Sequence, residues 1–148
     1  MEGKYMKTVN DILEQKGREV HTIESKQMVR DAIQQLAELG IGALVVVKDG
    51  KPVGLMSERD YTCRVILAGK HSDNTPVEDI MSNNLIVVAP GTNLNDCMVL
   101  MTENRLRHLP VMNDNKLVGL VSIGDIVKDI ISEQQFVIEQ LEQYIYHS

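Results

Sequence analysis

The chain has 148 residues, of which 43% are hydrophobic but only 3% aromatic, so its core must be aliphatic; a formal net charge of −6 lacks the basic excess of a nucleic-acid-binding protein. Two cysteines, Cys63 and Cys97, with no CxxC pair or Cys/His cluster, exclude a disulfide framework and a recognisable metal site. No apolar run reaches membrane-spanning length and residues 1–10 hold no signal-type apolar stretch, so the expectation is a soluble cytoplasmic protein with no membrane partner.

Taken in chain order, Val9, Ile12 and Leu13 predict a helical turn, and residues 20–23 read as extended. Val29, Ile33, Leu36 and Leu39 then share one helical face, with Ser25 or a neighbour as the cap and Gly40 and Gly42 as the stop. The β-branched run at 43–47 predicts a buried strand. Lys48-Asp49-Gly50-Lys51 carries the Asp-Gly hairpin signal, and residues 52–56 form the returning strand. Ser57 opens a helix that runs through Tyr61, Val65 and Ile66 to about Leu67, followed by a Gly-, Ser-, Asp-, Asn- and Pro-rich linker at 69–76. Residues 77–81 echo the first helical turn. The same order then returns: extended at 85–88, helix at 94–102, strand at 109–112, turn at 113–116, strand at 117–121 and a helix opened by Ser122. Phe136, Val137, Leu141, Tyr144 and Ile145 make 132–146 amphipathic; such a helix either covers the core of its own chain or pairs with a second copy.

The return is a true repeat. Gly54-Leu55-Met56-Ser57-Glu58-Arg59-Asp60 reappears as Gly119-Leu120-Val121-Ser122-Ile123-Gly124-Asp125, 65 positions on, and upstream Leu44, Val46, Asp49, Lys51 and Val53 meet Leu109, Val111, Asp114, Lys116 and Val118. The fold class expected is therefore mixed α/β, a β-α-β-β-α unit used twice, with the two units burying their apolar faces against each other. The division along the chain is 1–68, a linker at 69–76, 77–130, and a C-terminal helix at 131–148.

Each unit places Ser and Asp three apart at a helix start, just after a strand. The hydroxyl and the unpaired N–H groups of the first turn suit an anionic oxygen, and the carboxylate one turn on can accept both hydroxyls of a ribose diol. Gly54 and Gly119 allow close backbone approach there, and the set fits a nucleotide. Ser-x-x-Asp is equally a capping box, which needs no ligand. The differences between the copies are more telling: Arg59 stands where copy two has Gly124, and Arg107-His108 stand where copy one has Gly42-Ala43. These cations suit phosphate; the alternative is a solvated charge, and for His108 a strand-edge histidine.

The doubled motif, with Arg107-His108-Leu109-Pro110-Val111 before the strand of copy two, resembles the cystathionine-β-synthase-type (CBS) domain, two of which in tandem form a Bateman module. The resemblance covers about residues 9–128 and implies two clefts between the domains, packed about a pseudo-twofold axis. In one, Ser57 and Asp60 would hold phosphate or ribose with Arg59 beside them, Leu85 and Ile86 would face the base, and Arg107 and His108 would reach the phosphates. The other would use Ser122 and Asp125 with Val20, His21 and Ile41; lacking the Arg-His pair and Arg59, it is expected to take a less charged ligand or stay empty. The implied function is a non-catalytic sensor of AMP, ADP, ATP or NAD that acts without a fused enzyme or channel. It would need no cofactor and no metal, would pair as a homodimer, and would modulate an unidentified protein. The alternative is an interaction or dimerisation protein whose clefts are structural remnants. An enzyme is the weakest reading, since His21, His71, His108 and His147 stand with no nucleophile. Cys63, beside Val65 and Ile66, reads as core, with a thiol switch as the alternative.

Overall fold

The computed structural model describes residues 7–147; residues 1–6 and Ser148, which fall within the expected first domain and C-terminal helix, lie outside the described residues. The order is α1 (Val9–Lys16), β1 (Thr22–Glu24), α2 (Val29–Leu39), β2 (Ala43–Lys48), β3 (Lys51–Ser57), α3 (Glu58–Tyr61), a π-helical turn (Thr62–Ile66), a 3-10 turn (Val77–Asp79), α4 (Leu94–Asn104), β4 (His108–Asn113), β5 (Lys116–Ser122) and α5 (Ile123–His147). The mixed α/β class expected from the repeat is what the molecule adopts.

Both hairpins form as the turn chemistry requires. Asp49 and Gly50 have φ of 52° and 76°, and Asp114 and Asn115 have 51° and 64°, the paired positive values that suit the twist of flanking strands. The register slips between Val46 and Val47 in the first hairpin and between Val111 and Met112 in the second. These are the same positions of the repeat, so the irregularity belongs to the unit. Copy one builds a three-stranded sheet, β1 parallel to β2 and β2 antiparallel to β3. Copy two has only β4 and β5; the extended strand expected at 85–88 is reduced to a single parallel bridge between Val88 and Val111.

Strand periodicity explains why 43–47 is apolar throughout. Leu44 and Val46 point into the core of the first half, whereas Val45 and Val47, one face over, join Leu55, Val20, Leu85, Leu117 and Leu120 in a cluster between the halves. Ser25 does not cap α2: the N-cap is Met28, without a side-chain hydrogen bond, and Ser25 is buried with its N–H donating to the Val47 carbonyl.

The segments that precede the two units are exchanged. Val9, Ile12 and Leu13 of α1 lie in the core of copy two, with Val88, Leu94, Leu109 and Val121. Val77 of the 3-10 turn and Ile80 just after it lie in the core of copy one. The backbone repeats the exchange: Thr8 bridges Asn93 at the start of α4, and Pro76 bridges Met28 at the start of α2. The linear division at 69–76 thus describes the repeat, while the packing crosses it in both directions.

This exchange also gives Gly54 and Gly119 their role. A Cβ on Gly54 would stand 2.6 Å from the Ser82 carbonyl oxygen and 2.8 Å from Met81 Sδ; one on Gly119 would stand 2.7 Å from both Cδ atoms of Leu13. The close approach expected at these glycines is made by the protein's own leading segments, not by a ligand.

Helix α5 packs on its half only through its beginning, where Ile126 is buried and Ile130 half-buried. Beyond Ile130 it runs exposed, with Phe136 61%, Leu141 57% and Tyr144 73% accessible, so the reading in which this segment covers its own core does not hold. Cys63, expected in the core, is exposed, and Cys97 is buried.

Candidate functional site

Both Ser-x-x-Asp turns stand on the walls of clefts between the halves. The first cleft, about 720 Å³, is lined by Ser57, Arg59 and Asp60 at the β3–α3 junction and Arg64 of the π-helical turn. Ser82 and Asn84 close one side, and Arg105, Arg107 and His108 enter from the second half. The second cleft, about 380 Å³, brings Ser122 and Asp125 together with Val20, His21 and Ile41, and adds Lys16 from the end of α1. Gly42, Ala43 and His108 line both, so the two clefts lie back to back across one thin wall. Of the sequence candidates, Leu85 and Ile86 are not brought into the first cleft. Leu85 joins the apolar cluster between the halves and Ile86 packs against the core of copy two, while the polar Ser82 and Asn84 take the wall expected of them.

The capping reading of Ser-x-x-Asp holds in both units. Asp60 N–H donates to Ser57 Oγ at 3.2 Å, and the Ser57 N–H donates back to Asp60 Oδ2 at 2.9 Å. Asp125 N–H donates to Ser122 Oγ at 3.0 Å, and the Ser122 N–H to Asp125 Oδ2 at 2.9 Å. The cap locks each carboxylate's rotamer against the cleft wall; in the first cleft Oδ1 of Asp60 faces Arg64 Nε at 3.9 Å.

Sequence reasoning named two arginines for the first cleft, and the structure gathers four. Arg64 was missed although it stands four residues after Asp60, the spacing that puts two residues on one helical face. In the π-helical turn its guanidinium donates to the carbonyls of Ile80 at 3.2 Å and Met81 at 3.1 Å, which anchors it beside Asp60. Arg105 was missed because its repeat partner is Gly40. Both residues end a helix in the left-handed region, Gly40 at φ 65° and Arg105 at φ 54°. Glycine takes that conformation freely; an arginine there carries strain, and the residue lines the cleft. The equivalents of Arg59, Arg64, Arg105 and Arg107 in the other unit are Gly124, Asp129, Gly40 and Gly42, so the excess of cations is confined to one cleft.

Two groups on the shared wall and the second cleft are shifted. Burial, reinforced by the positive charges of Lys16 and Arg107 and opposed by Asp125, holds the His108 imidazole below its ordinary pKa, so the ring is neutral at pH 7. It lines both clefts beside Arg107. Burial alone would raise Asp125, but its hydrogen bonds from Lys16 and Ser122 and the Lys16 charge prevail, and the carboxyl lies below the usual range. Lys16 Nζ sits 2.8 Å from Asp125 Oδ2 and 2.9 Å from the Leu120 carbonyl.

Among the described residues no cluster of three His, Cys, Asp or Glu side chains is arranged to hold a metal. No described helix is long and apolar enough to cross a membrane. A further groove of about 550 Å³ over Val87, Val99, Leu100 and Met112 offers one carboxylate, Asp96, and no cation.

Comparison with known proteins bears on both halves. The CBS-domain family model matches residues 9–63 and again 77–132. The mitochondrial CBS domain-containing protein CBSX3 of Arabidopsis thaliana is 38% identical over 147 residues, 93% of this chain and 71% of that protein. Among solved structures, a CBS-domain protein superposes with a TM-score of 0.82 at 45% identity, covering 86% of this chain and 99% of its own. A CBS-domain protein of Burkholderia ambifaria, whose name places it in signal transduction, superposes at 0.83 with 46% identity, covering 86% of this chain and 96% of its own.

Proposed function

This chain belongs to the CBS-domain family, and on that footing we propose that it is a non-catalytic sensor whose first cleft binds an adenine nucleotide: AMP, ADP, ATP or NAD. The observation that carries the reading is the convergence of Arg59, Arg64, Arg105 and Arg107 on one cleft of about 720 Å³ that also presents the carboxylate of Asp60. Four guanidiniums are far more cation than the helix cap needs, and they match a polyphosphate; a single oriented carboxylate among them matches a ribose diol. The volume lies within the range of small-molecule sites, which is about 300–1,000 Å³. The adenine preference rests on the family resemblance. Because the arginines come from both halves, occupancy draws the halves together and changes the surface offered to a regulated protein, the differential interaction that allostery requires. Calorimetry against AMP, ADP, ATP, NAD and S-adenosylmethionine tests this: saturable binding of an adenine nucleotide supports it, and no heat from any of them at millimolar concentration ends it.

A second reading has its own observation. Val137, Ile138, Leu141 and Tyr144 recur at helical spacing on the exposed length of α5, and all are about half accessible or more. That pattern fits a homodimer made through α5, with or without a ligand in the clefts. Sedimentation of the wild type against Leu141→Glu decides it: a dimer that the substitution splits supports the pairing, and a monomer in both removes it.

A further inference from the structure

We propose that Lys16 sets the ligand preference of the second cleft: its ammonium holds Asp125 when the cleft is empty, passes to the phosphate of an incoming ligand, and so makes the cleft select a phosphorylated nucleoside over the free nucleoside. The inference rests on the nucleotide reading above and deepens it at the other site.

Lys16 escapes a comparison of the two units at their 65-residue offset because the exchanged segments align at 68. Val9, Ile12 and Leu13 then meet Val77, Ile80 and Met81, and the bridging Thr8 meets the bridging Pro76. Leu13 and Met81 are the side chains that cross Gly119 and Gly54, which confirms the register in space. In that register Lys16 falls on Asn84, and both line their respective clefts. The first cleft therefore has four arginines and a neutral Asn84. The second has glycines and Asp129 at the four arginine positions, and one lysine where the first has asparagine. The single cation is aimed into the cleft and fastened to the carboxylate that would take a ribose.

Lys16 and the Ser122 N–H both sit on Oδ2 of Asp125, so a diol has Oδ1 to take directly and gains Oδ2 only as Lys16 moves off. The stem of Lys16 is flexible, its side chain is 38% exposed, and its anchors are one carboxylate oxygen and one carbonyl, so it can swing away. A neutral nucleoside offers the moving ammonium only the carboxylates already there, Asp125 and the Glu19 that also lines the cleft. A phosphate gives it a new anion. The expectation of a less charged ligand or an empty second cleft considered only the positions inside the repeat; among the described lining residues Lys16 adds one cation to meet a phosphate, opposite the carboxylates of Asp125 and Glu19.

The test isolates the second cleft by closing the first with Asp60→Ala and Arg107→Ala, then compares calorimetric binding of AMP and adenosine with and without Lys16→Met. With Lys16 present, AMP binds about tenfold or more tighter than adenosine, as expected for one charge-assisted contact. Lys16→Met removes that ratio by weakening AMP while leaving adenosine equal or tighter, and Lys16→Arg restores it. An unchanged ratio, or equal losses for both ligands, overturns the inference. If the wild type binds AMP but the Asp60→Ala/Arg107→Ala protein binds neither ligand, the second cleft is not a nucleotide site; this inference falls and the first-cleft reading stands. If the wild type binds no nucleotide at all, both fall.

Discussion

Leu13 crosses Gly119 so closely that both of its Cδ atoms lie 2.7 Å from where a Cβ would stand. The contact is where α1, from ahead of copy one, closes the core of copy two. Gly119→Ala is therefore expected to destabilise by about 1–3 kcal/mol through overpacking. Gly124→Ala is its control. That Cβ meets only Ser122 Oγ, at 3.6 Å, within helix α5, so the change is neutral or stabilising by up to ~1 kcal/mol. Urea midpoints of the two variants check the contrast; equal behaviour would mean that Leu13 gives way.

Lys7 and Asp129 make a second tie of the same kind. Nζ sits 2.9 Å from Oδ1 of a carboxylate whose side chain is 5% exposed. Lys7→Met strands that carboxylate in the interior and is expected to cost about 1–3 kcal/mol. The hydrogen bond to Asp129 raises the Lys7 pKa despite burial. Its contribution is thus fully present below the ordinary lysine value and is lost as pH rises through the higher folded one. Stability of the wild type should fall with pH on the alkaline side more steeply than that of Lys7→Met.

Arg105 predicts a trade. Arg105→Gly relieves a left-handed backbone at φ 54° and should raise stability by about 1 kcal/mol. The same change removes a guanidinium from the first cleft, so nucleotide affinity should fall. Thermal denaturation and calorimetry on one preparation measure both, and a variant that gains neither stability nor loses affinity would contradict the account of this residue.

Asp60→Ala should weaken ribose-bearing ligands more than it weakens inorganic phosphate, because the carboxylate is assigned to the diol and the arginines to the anion. Parallel titrations with AMP and phosphate decide it. Equal losses would place Asp60 in the cap alone.

His108 gives a prediction in the mildly acidic range. Its folded pKa lies below the unfolded value of about 6.5, so the folded state resists protonation. The associated stability is present above that value and is lost as pH falls from there through the folded one. His108→Gln should flatten this part of the stability profile, measured by urea midpoints at closely spaced pH values.

Much of this was legible in the sequence, and the exceptions share a cause. Periodicity and Asp-Gly or Asp-Asn turn chemistry located both hairpins and α2 to within a residue or two, because strand and helix faces carry their pattern locally. What failed depends on partners distant in the chain. Leu85 and Ile86 pack into apolar clusters with residues far off in the chain, Val45, Val47 and Leu117 around Leu85 and the core of copy two around Ile86. Arg64, four residues after Asp60 on the predicted helix, was legible in its spacing, whereas Arg105 needed a left-handed backbone that no residue-type pattern announces. Lys16 lies in a segment whose alignment differs by three residues from the rest of the repeat. Cys63 was placed by its apolar neighbours, but only Val65 of that turn is buried.

The traded leading segments bear on how any signal leaves this molecule. A half cut from its twin would keep its strands and lose the lid over its core, so two such halves could be whole only as a pair, each lending its first turn to the other. With each leading segment seated in the opposite core, any rearrangement of the halves must be felt in both cores at once, as a change of tension across the whole body.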